Sequence, residues 1–486
     1  MTANPSAVWV GSARVRPSRL AAEFYRQEYI DLEDQLDRSG HRLVVLGKLG
    51  RLFTGPFGSK LPASLYDTPN GVPLLRVQNI GNIFLNETDI ARIPLEVHED
   101  IHRSKLEPGD LALAKAGRLG ALSKIPAHIQ ECNITQHIVG VKVRADKVRG
   151  SYLAAFFLSR FGSFQLKRQG IGTLIKYLGI EETRAAKVAV PDRRIQDYIG
   201  AKVELAELCR ARSGSLRAEA IGHFDELLRT SKFGPGADLT NVVDARALTG
   251  RLTGQFYLPR YFALEAHLAG LGVPVKPLRS LLRSDITRSS TPERDEAAPI
   301  PCILTSDIDP QEIRWRNPSL RITQSVHDSH GGRLGARDVV YTSVGPPVGE
   351  AAVVLPQFLP MAVGGDVSIL RHGEDLHPGF LALYLNSVFG QMQNDRYSRG
   401  IRQRRVYPED IGAFLIPVFG AKDQAYVGER IVRHQVLNEL AVDLVNEAKA
   451  DVEALIEGTL DVQAILSGTV KAPAADDIPE LAEDGV

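Results

Sequence analysis

Residues 19–36 read RLAAEFYRQEYIDLEDQL, and residues 251–268 read RLTGQFYLPRYFALEAHL. Eight of the eighteen positions are identical: Arg19/Arg251, Leu20/Leu252, Phe24/Phe256, Tyr25/Tyr257, Tyr29/Tyr261, Leu32/Leu264, Glu33/Glu265 and Leu36/Leu268. Unrelated segments do not share so much, so the chain contains an internal repeat and is read one repeat at a time. The likeness continues downstream. PLLRVQNI (73–80) matches PCILTSDI (301–308), two apolar strand candidates, and EPGDLALAKAG (107–117) matches GARDVVYTSVG (335–345), a turn and then a strand. SYLAAFFLSRFG (151–162) matches GFLALYLNSVFG (379–390), each apolar enough to be a buried helix. Val190-Pro191 and Ile416-Pro417 close a strand in each copy, and Tyr198-Ile199-Gly200 matches Tyr426-Val427-Gly428 in the helix that follows. The chain is a tandem duplication of a unit of roughly 230 residues.

Each unit ends in one long helix, over 192–230 and 420–458. Apolar residues recur at alternating spacings of three and four: Ile195, Ile199, Ala206, Cys209, Leu216, Ala220 and Leu227, then Val427, Ile431, Ala441, Val445, Ala448, Val452 and Leu455. Such a stripe is a coiled-coil seam, here with Lys202, Ser213, His434 and Asn438 as polar interruptions. A helix of about 35 residues spans roughly 50 Å, more than one small domain needs. A mutual coiled coil acting as a spacer is therefore expected, in preference to two helices each packed on its own globule.

Composition narrows the functional classes. The 486 residues are 44% hydrophobic and 24% charged, with Lys+Arg 58 cancelling Asp+Glu 58. Any basic surface must then be local. Cys132, Cys209 and Cys302 are odd in number and far apart, which gives no zinc pattern and no disulfide framework. No run approaches the roughly 18 apolar residues of a membrane span, and the first twenty residues lack a signal-peptide core, so a cytoplasmic protein is expected. SKFGPGADL (231–239) reads as a linker, and the Ala-, Pro-, Asp- and Glu-rich end as a disordered acidic tail.

Two stretches imitate enzyme motifs. TGPFGSK (54–60) has glycines spaced too closely for a nucleotide-binding loop, and Pro62 soon after Lys60 obstructs the helix that such a loop requires. A structural turn remains, or a turn that presents Ser59 and Lys60 to a polyanion. HEDIH (98–102) satisfies H-E-x-x-H, with Glu131 a loose third ligand, but VHDSHGG (326–332) in the other repeat does not keep the pattern. It reads as a solvated surface helix. Hydrolase elbows and dinucleotide fingerprints are missing.

A pair of polar loops occupies matching places: KRQGIGTLIKYLG (167–179) and NDRYSRGIRQRRVYP (394–408). Arginine, tyrosine and glycine together suit nucleic acid, because guanidinium forks grip phosphates or guanine edges and glycine permits close approach.

With TGPFGSKL, GVPLLRVQNI, EPGDLALAKAGRLG, Gly172-Thr173 and a Val-Pro strand entering a long helix, the chain resembles the DNA specificity (S) subunits of Type I restriction-modification systems. The resemblance covers 43–230 strongly and 272–460 more weakly. It implies an α+β fold: two mixed α/β target-recognition domains in tandem pseudo-repeat, separated by two long antiparallel coiled-coil helices. The implied order is an N-terminal helical segment (1–42), the first recognition domain (43–191), the first spacer helix (192–230), and a linker with the repeated helical segment (231–271). The second recognition domain (272–418), the second spacer helix (419–460) and the tail (461–486) follow. Such subunits perform no chemistry and carry no cofactor. They direct methyltransferase subunits, which use S-adenosylmethionine to modify adenine at N6, to a bipartite double-stranded sequence; a restriction translocase–nuclease can join.

Carried over residue by residue, the resemblance implies DNA contacts from Ser59, Lys60, Arg76, Gln78, Asn79, Lys115, Arg118, Lys167, Arg168, Thr173, Lys176 and Tyr177. In the second half it implies Thr305, Ser306, Ser343, Arg396, Tyr397, Arg399, Arg402, Arg404 and Arg405. The segments 19–36 and 251–268 are either docking surfaces for the methyltransferase or structural caps. SDITRSSTPERDEAAP (284–299) replaces the glycine loop in the second half, which then either reads other bases or binds protein. The alternative function is a scaffold whose diverged recognition-like domains assemble proteins.

Overall fold

The computed structural model describes residues 7–17, 19–58, 61–172, 176–400 and 402–482. The chain forms two units, Met1–Arg210 with Glu439–Val486, and Ala211–Asn438.

In the first unit, alternating and fully apolar runs pair as strands. Ile138–Val143 lies between Gly50–Thr54 and Leu111–Ala114, and Leu122–Lys124 and Asn82–Ile83 complete a five-stranded sheet. A second sheet places Val72–Leu75 between Ala91–Ile93 and Asn133–Ile134. Leu111–Ala114 is buried on both faces, as its unbroken apolar run requires. Helix Gly150–Leu158 is buried almost all round, so its lack of a polar face marks an interior element.

The second unit repeats this plan. Ile300–Ile303 lies between Leu320–Ile322 and Ala362–Val363, while Val339–Thr342 lies between Ala351–Val353 and Val367–Leu370. The duplication extends to single bonds. Leu74 pairs in parallel with Asn133, and Cys302, 228 positions on, pairs in parallel with Ala362. Gln196 accepts from the Arg149 N–H at 3.0 Å and donates to the Pro191 carbonyl at 2.9 Å. Gln424 accepts from the His377 N–H at 3.0 Å and donates to the Phe419 carbonyl at 2.9 Å.

The long helices run over Arg193–Leu227 and Ala421–Glu457, and each divides between the two units. Within the second unit they are antiparallel: Ser213 meets His434 and Asn438, Glu219 meets Arg430, and His223 meets Asp423. Of the stripe residues named above, all are buried except the half-buried Leu227. The polar interruptions are paired, as burial demands. The Ser213 hydroxyl lies 2.7 Å from both His434 Nδ1 and Asn438 Oδ1. In the first unit Lys202 is bound by Asp451 at 2.8 Å and Glu447 at 3.2 Å.

The first residues of the expected tail (461–486) form a helix. Asp461 caps helix Val462–Ser467 by accepting from the Ala464 N–H at 2.9 Å, and Ile465 is buried. The Arg194 guanidinium donates to the Leu466 carbonyl at 2.8 Å.

The turn before Val339–Thr342 has a specific support. Arg337 adopts φ +66°, where the first repeat has Gly109 at +88°, and its side chain reaches Glu429 at 2.5 Å. His377 Nε2 lies 2.9 Å from the same carboxylate. The hydrogen bond from His377, joined by Arg337, holds the Glu429 carboxyl at about 2 against an ordinary 4.5. A depressed carboxyl contributes stability that is complete above the unfolded value and is lost as pH falls through the folded one. The second unit is expected to lose stability between pH 4.5 and about 2, with the loss blunted in Glu429→Gln. Urea midpoints measured across that range check this.

Candidate nucleic-acid interface

In each repeat a polar finger is stitched to the end of a central strand. Past Leu111–Ala114, the Lys115 carbonyl accepts from the Leu178 N–H at 2.8 Å, and Ala116 bridges Tyr177. Ile171 and Tyr177 exchange both backbone bonds, at 2.9 and 2.7 Å, closing the finger. In the second repeat the Ser343 carbonyl accepts from the Val406 N–H at 2.9 Å, and Arg399 and Arg405 exchange both bonds at 2.8 Å. Gly172 at φ +125° and Gly400 at +94° occupy corresponding places just past the first closing residue. Left-handed backbone at these points needs glycine, which is why both loops keep one.

The base of each finger is held by the segment that opened the sequence. Arg168 is buried; its Nε donates to the Phe24 carbonyl at 2.7 Å and its Nη1 to Glu33 at 2.8 Å. Arg396 is buried likewise, donating to the Phe256 carbonyl at 3.1 Å and to Glu265 at 2.5 Å. The guanidiniums lie 4.1 Å from the Phe24 ring centroid and 4.5 Å from that of Phe256. Arg19 donates to the Gln169 carbonyl at 2.9 Å, and Arg251 to the Tyr397 carbonyl at 3.0 Å. Residues 19–36 and 251–268 thus include a structural cap in each unit.

Four expected DNA contacts are accordingly corrected. Arg168 and Arg396 are interior anchors, because a guanidinium without solvent needs fixed acceptors and finds them in the cap. Asn79 is fully buried; it accepts from the Arg76 N–H at 2.9 Å and donates to the Asn86 and Asp89 carbonyls at 3.0 Å. Ser343 is buried, with its hydroxyl 2.5 Å from that of Ser368.

The remaining residues are accessible to differing degrees. Arg76 and Gln78 converge on Asp89, at 2.9 and 2.7 Å. Lys115 is half-buried, Arg118 is exposed and donates to the Ile80 carbonyl at 3.0 Å, and Lys167 is exposed. Lys176 is 2.5 Å from Glu23 and holds that carboxyl below its ordinary value, chiefly through their hydrogen bond. Tyr177 is exposed beside the His137 ring. Thr305 is half-buried, and Ser306 is exposed with its hydroxyl 2.9 Å from that of Ser319. Ser59, Lys60 and Thr173 lie outside the described residues.

The arginine finger carries less free charge than its composition suggests. Arg399 pairs with Asp410 at 2.9 Å and lies over the Tyr407 ring. Arg404 pairs with Asp395 at 2.6 Å and Ser398 at 2.5 Å. Tyr397 is half-buried against Phe256 and Phe414. Arg405 is exposed and its side chain donates to Gln403 at 3.0 Å, while Arg402 is exposed; among the described residues neither has a carboxylate partner. Two cations of the five therefore remain available.

Gln136 and His137 escaped the sequence reading. With Pro56, Gly58, Arg76 and Gln78 they line a cavity of about 260 Å³ beside the first finger. No motif marks a lone polar pair before a strand; only the fold brings it beside Tyr177.

The two histidines of HEDIH resolve differently. His98 is buried with Nδ1 2.6 Å from the Asn133 amide, whereas His102 is exposed and engages the Glu99 carbonyl at 2.9 Å. The expected solvated helix is therefore half interior, and the two rings do not converge. Among the described residues no group of three or more His, Cys, Asp or Glu side chains is arranged for a metal ion. The three cysteines are free and buried, and burial pushes the Cys132 and Cys302 thiols up to about 12 and that of Cys209 to about 11. No helix of the described residues is long and apolar enough to cross a membrane.

No protein-family model matches the sequence, and no curated protein matches it. Among solved structures, the chain is similar to the Type-I restriction-modification system S subunit from M. genitalium, at 12% identity and a TM-score of 0.45, over 87% of this chain and 96% of that one. It is similar to the HsdS subunit from Thermoanaerobacter tengcongensis, at 16% identity and a TM-score of 0.29, over 87% and 97%. A third similarity, at 12% identity and a TM-score of 0.29, covers 36% of this chain and 28% of the type IIG restriction endonuclease BpuSI.

Proposed function

We propose that the chain is the DNA-specificity component of a modification system. Each repeat reads one half of a bipartite duplex sequence. The chain performs no chemistry and directs partner adenine-N6 methyltransferase subunits, which bring S-adenosylmethionine, in the cytoplasm. A restriction translocase–nuclease is a further partner. The observation that carries this reading is the recurrence, at the same strand end in both repeats, of a finger closed by the same backbone pair with a glycine just past its first residue. Duplicated fingers with different side chains suit a ligand with two unlike half-sites. Exposed Arg118, Lys167, Tyr177, Arg402 and Arg405 supply the hydrogen-bonding and stacking groups that such a ligand takes. The zero net charge leaves much of the phosphate contact to the partners.

The test is a selection from random-sequence duplexes, using the chain purified together with an adenine methyltransferase from the same genome. Two enriched blocks with a fixed gap, both protected in a footprint, are the expected outcome. Partner binding that is insensitive to salt, with no enriched sequence, would replace this reading with a protein scaffold.

A further inference from the structure

We propose that the repeated cap sets the position of each recognition finger, and that Glu33 and Glu265 are positioning residues for the half-site read by their own repeat. The proposal rests on the DNA-specificity reading and extends it to residues that touch no DNA.

The geometry is the same twice. One guanidinium, Arg168 or Arg396, leaves the helix from which the finger springs and is bound by a carboxylate, by a backbone carbonyl and by a phenyl face. The next carbonyl in the chain, that of Gln169 or Tyr397, accepts from a second arginine of the cap. That arginine also pairs with an acid beyond the finger: Arg19 with Glu182 at 3.4 Å, and Arg251 with Asp410 at 2.5 Å. Both ends of the finger are therefore tied to one short segment. Arg19/Arg251, Phe24/Phe256 and Glu33/Glu265 are among the eight positions identical between the repeats, whereas the finger sequences differ. A constant mount carrying a variable reader is what this pattern describes. A flexible loop loses affinity and selectivity to its own entropy, so fixing its base sharpens recognition without adding a contact.

The two mounts differ in their second tie. In the second repeat Asp410 also binds Arg399, inside the finger, at 2.9 Å. The first repeat has the longer Arg19–Glu182 pair and no equivalent arginine at Ile171. The first finger has a different second tie, from Lys176 within it to Glu23 of the cap at 2.5 Å.

The test uses the full chain and four variants: Glu33→Ala, Glu33→Gln, Glu265→Ala and Glu265→Gln. Amide hydrogen exchange of the free protein is read first, without DNA. Glu265→Ala is expected to speed exchange in 397–406 at least roughly tenfold over that of the surrounding second-unit core, leaving 169–178 unchanged. Glu33→Ala is expected to do the reverse. The glutamine variants keep an acceptor oxygen for the guanidinium and are expected to restore most of the protection. Selection from random duplexes by the methyltransferase complex should then blur one sequence block per alanine variant and spare the other. Unchanged finger exchange, or exchange that rises evenly across the unit, overturns the proposal, as does equal blurring of both blocks. If the unaltered complex enriches no sequence, the specificity reading fails by itself, and the exchange data still decide whether the cap mounts the finger.

Discussion

A double variant, Arg402→Ala with Arg405→Ala, is expected to weaken binding to one half-site by about 2–4 kcal/mol, roughly 30- to 1,000-fold, and to leave the other half-site intact. These two guanidiniums stand out because the rest of the arginine finger is occupied. Arg396 belongs to the interior, Arg399 to Asp410 and Arg404 to Asp395. Removing Arg404 would disturb a local network, and its effect on DNA would be indirect. Arg402 and Arg405 are exposed and carry no carboxylate partner among the described residues. If they meet phosphates, the logarithm of affinity against the logarithm of salt becomes shallower by about 2 units. If they meet guanine edges, the slope changes less and a sequence position loses definition. Salt-dependent titration and duplex selection with the double variant separate these cases. An unchanged slope together with an unchanged sequence would remove this finger from the interface.

The largest effect on folding is expected at a helix corner. Gly390→Ala should destabilise the second unit by about 3 kcal/mol through overpacking. A methyl group at Gly390 would sit 2.4 Å from the carbonyl oxygens of Leu385 and Tyr384, backbone atoms of the preceding helix that cannot swing aside. Gly162 occupies the same corner in the first repeat, where a methyl group would lie 2.1 Å from the Phe156 carbonyl oxygen. Gly214→Ala is the matched control. It lies exposed in the first long helix with nothing within 4 Å of a new methyl group, so it should stabilise by about 0.5–1 kcal/mol. Urea unfolding followed by the fluorescence of Trp315, which packs on Phe358 in the second unit, reads both changes. Equal midpoints for Gly390→Ala and the parent chain would contradict the corner geometry.

The duplication was legible because eight identical residues and matched apolar runs survive in two copies. The long helices were legible because their 3–4 stripe is periodic and unbroken by proline. The finger positions could also be read, since glycine and polar residues recur at fixed places. Which finger side chains face outward could not be read. Arg168 and Arg396 look like any other loop cation until folding brings Phe24, Glu33, Phe256 and Glu265 against them from more than a hundred residues away. Asn79 misled for a related reason: its amide closes a turn, and a turn-forming asparagine looks the same in sequence as one that binds a base. The short helix Val462–Ser467 could not be read because composition says nothing of a single well-placed cap such as Asp461.

The first unit is assembled from two distant pieces of chain, 1–210 and 439–486. The helix segment that carries Ile195, Ile199, Ala206 and Cys209 is met by residues made much later, as where Lys202 binds Glu447 and Asp451. During synthesis at about 5–20 residues per second, that apolar stripe stays uncovered for roughly 10–50 s after residue 210 emerges. The duplicated chain therefore cannot finish its first half before its second. Its period of greatest exposure to aggregation falls in mid-translation: a ribosome that stops short of residue 438 releases a chain with neither unit's helix pairing complete, and one that stops soon after it leaves only the first unit unpaired.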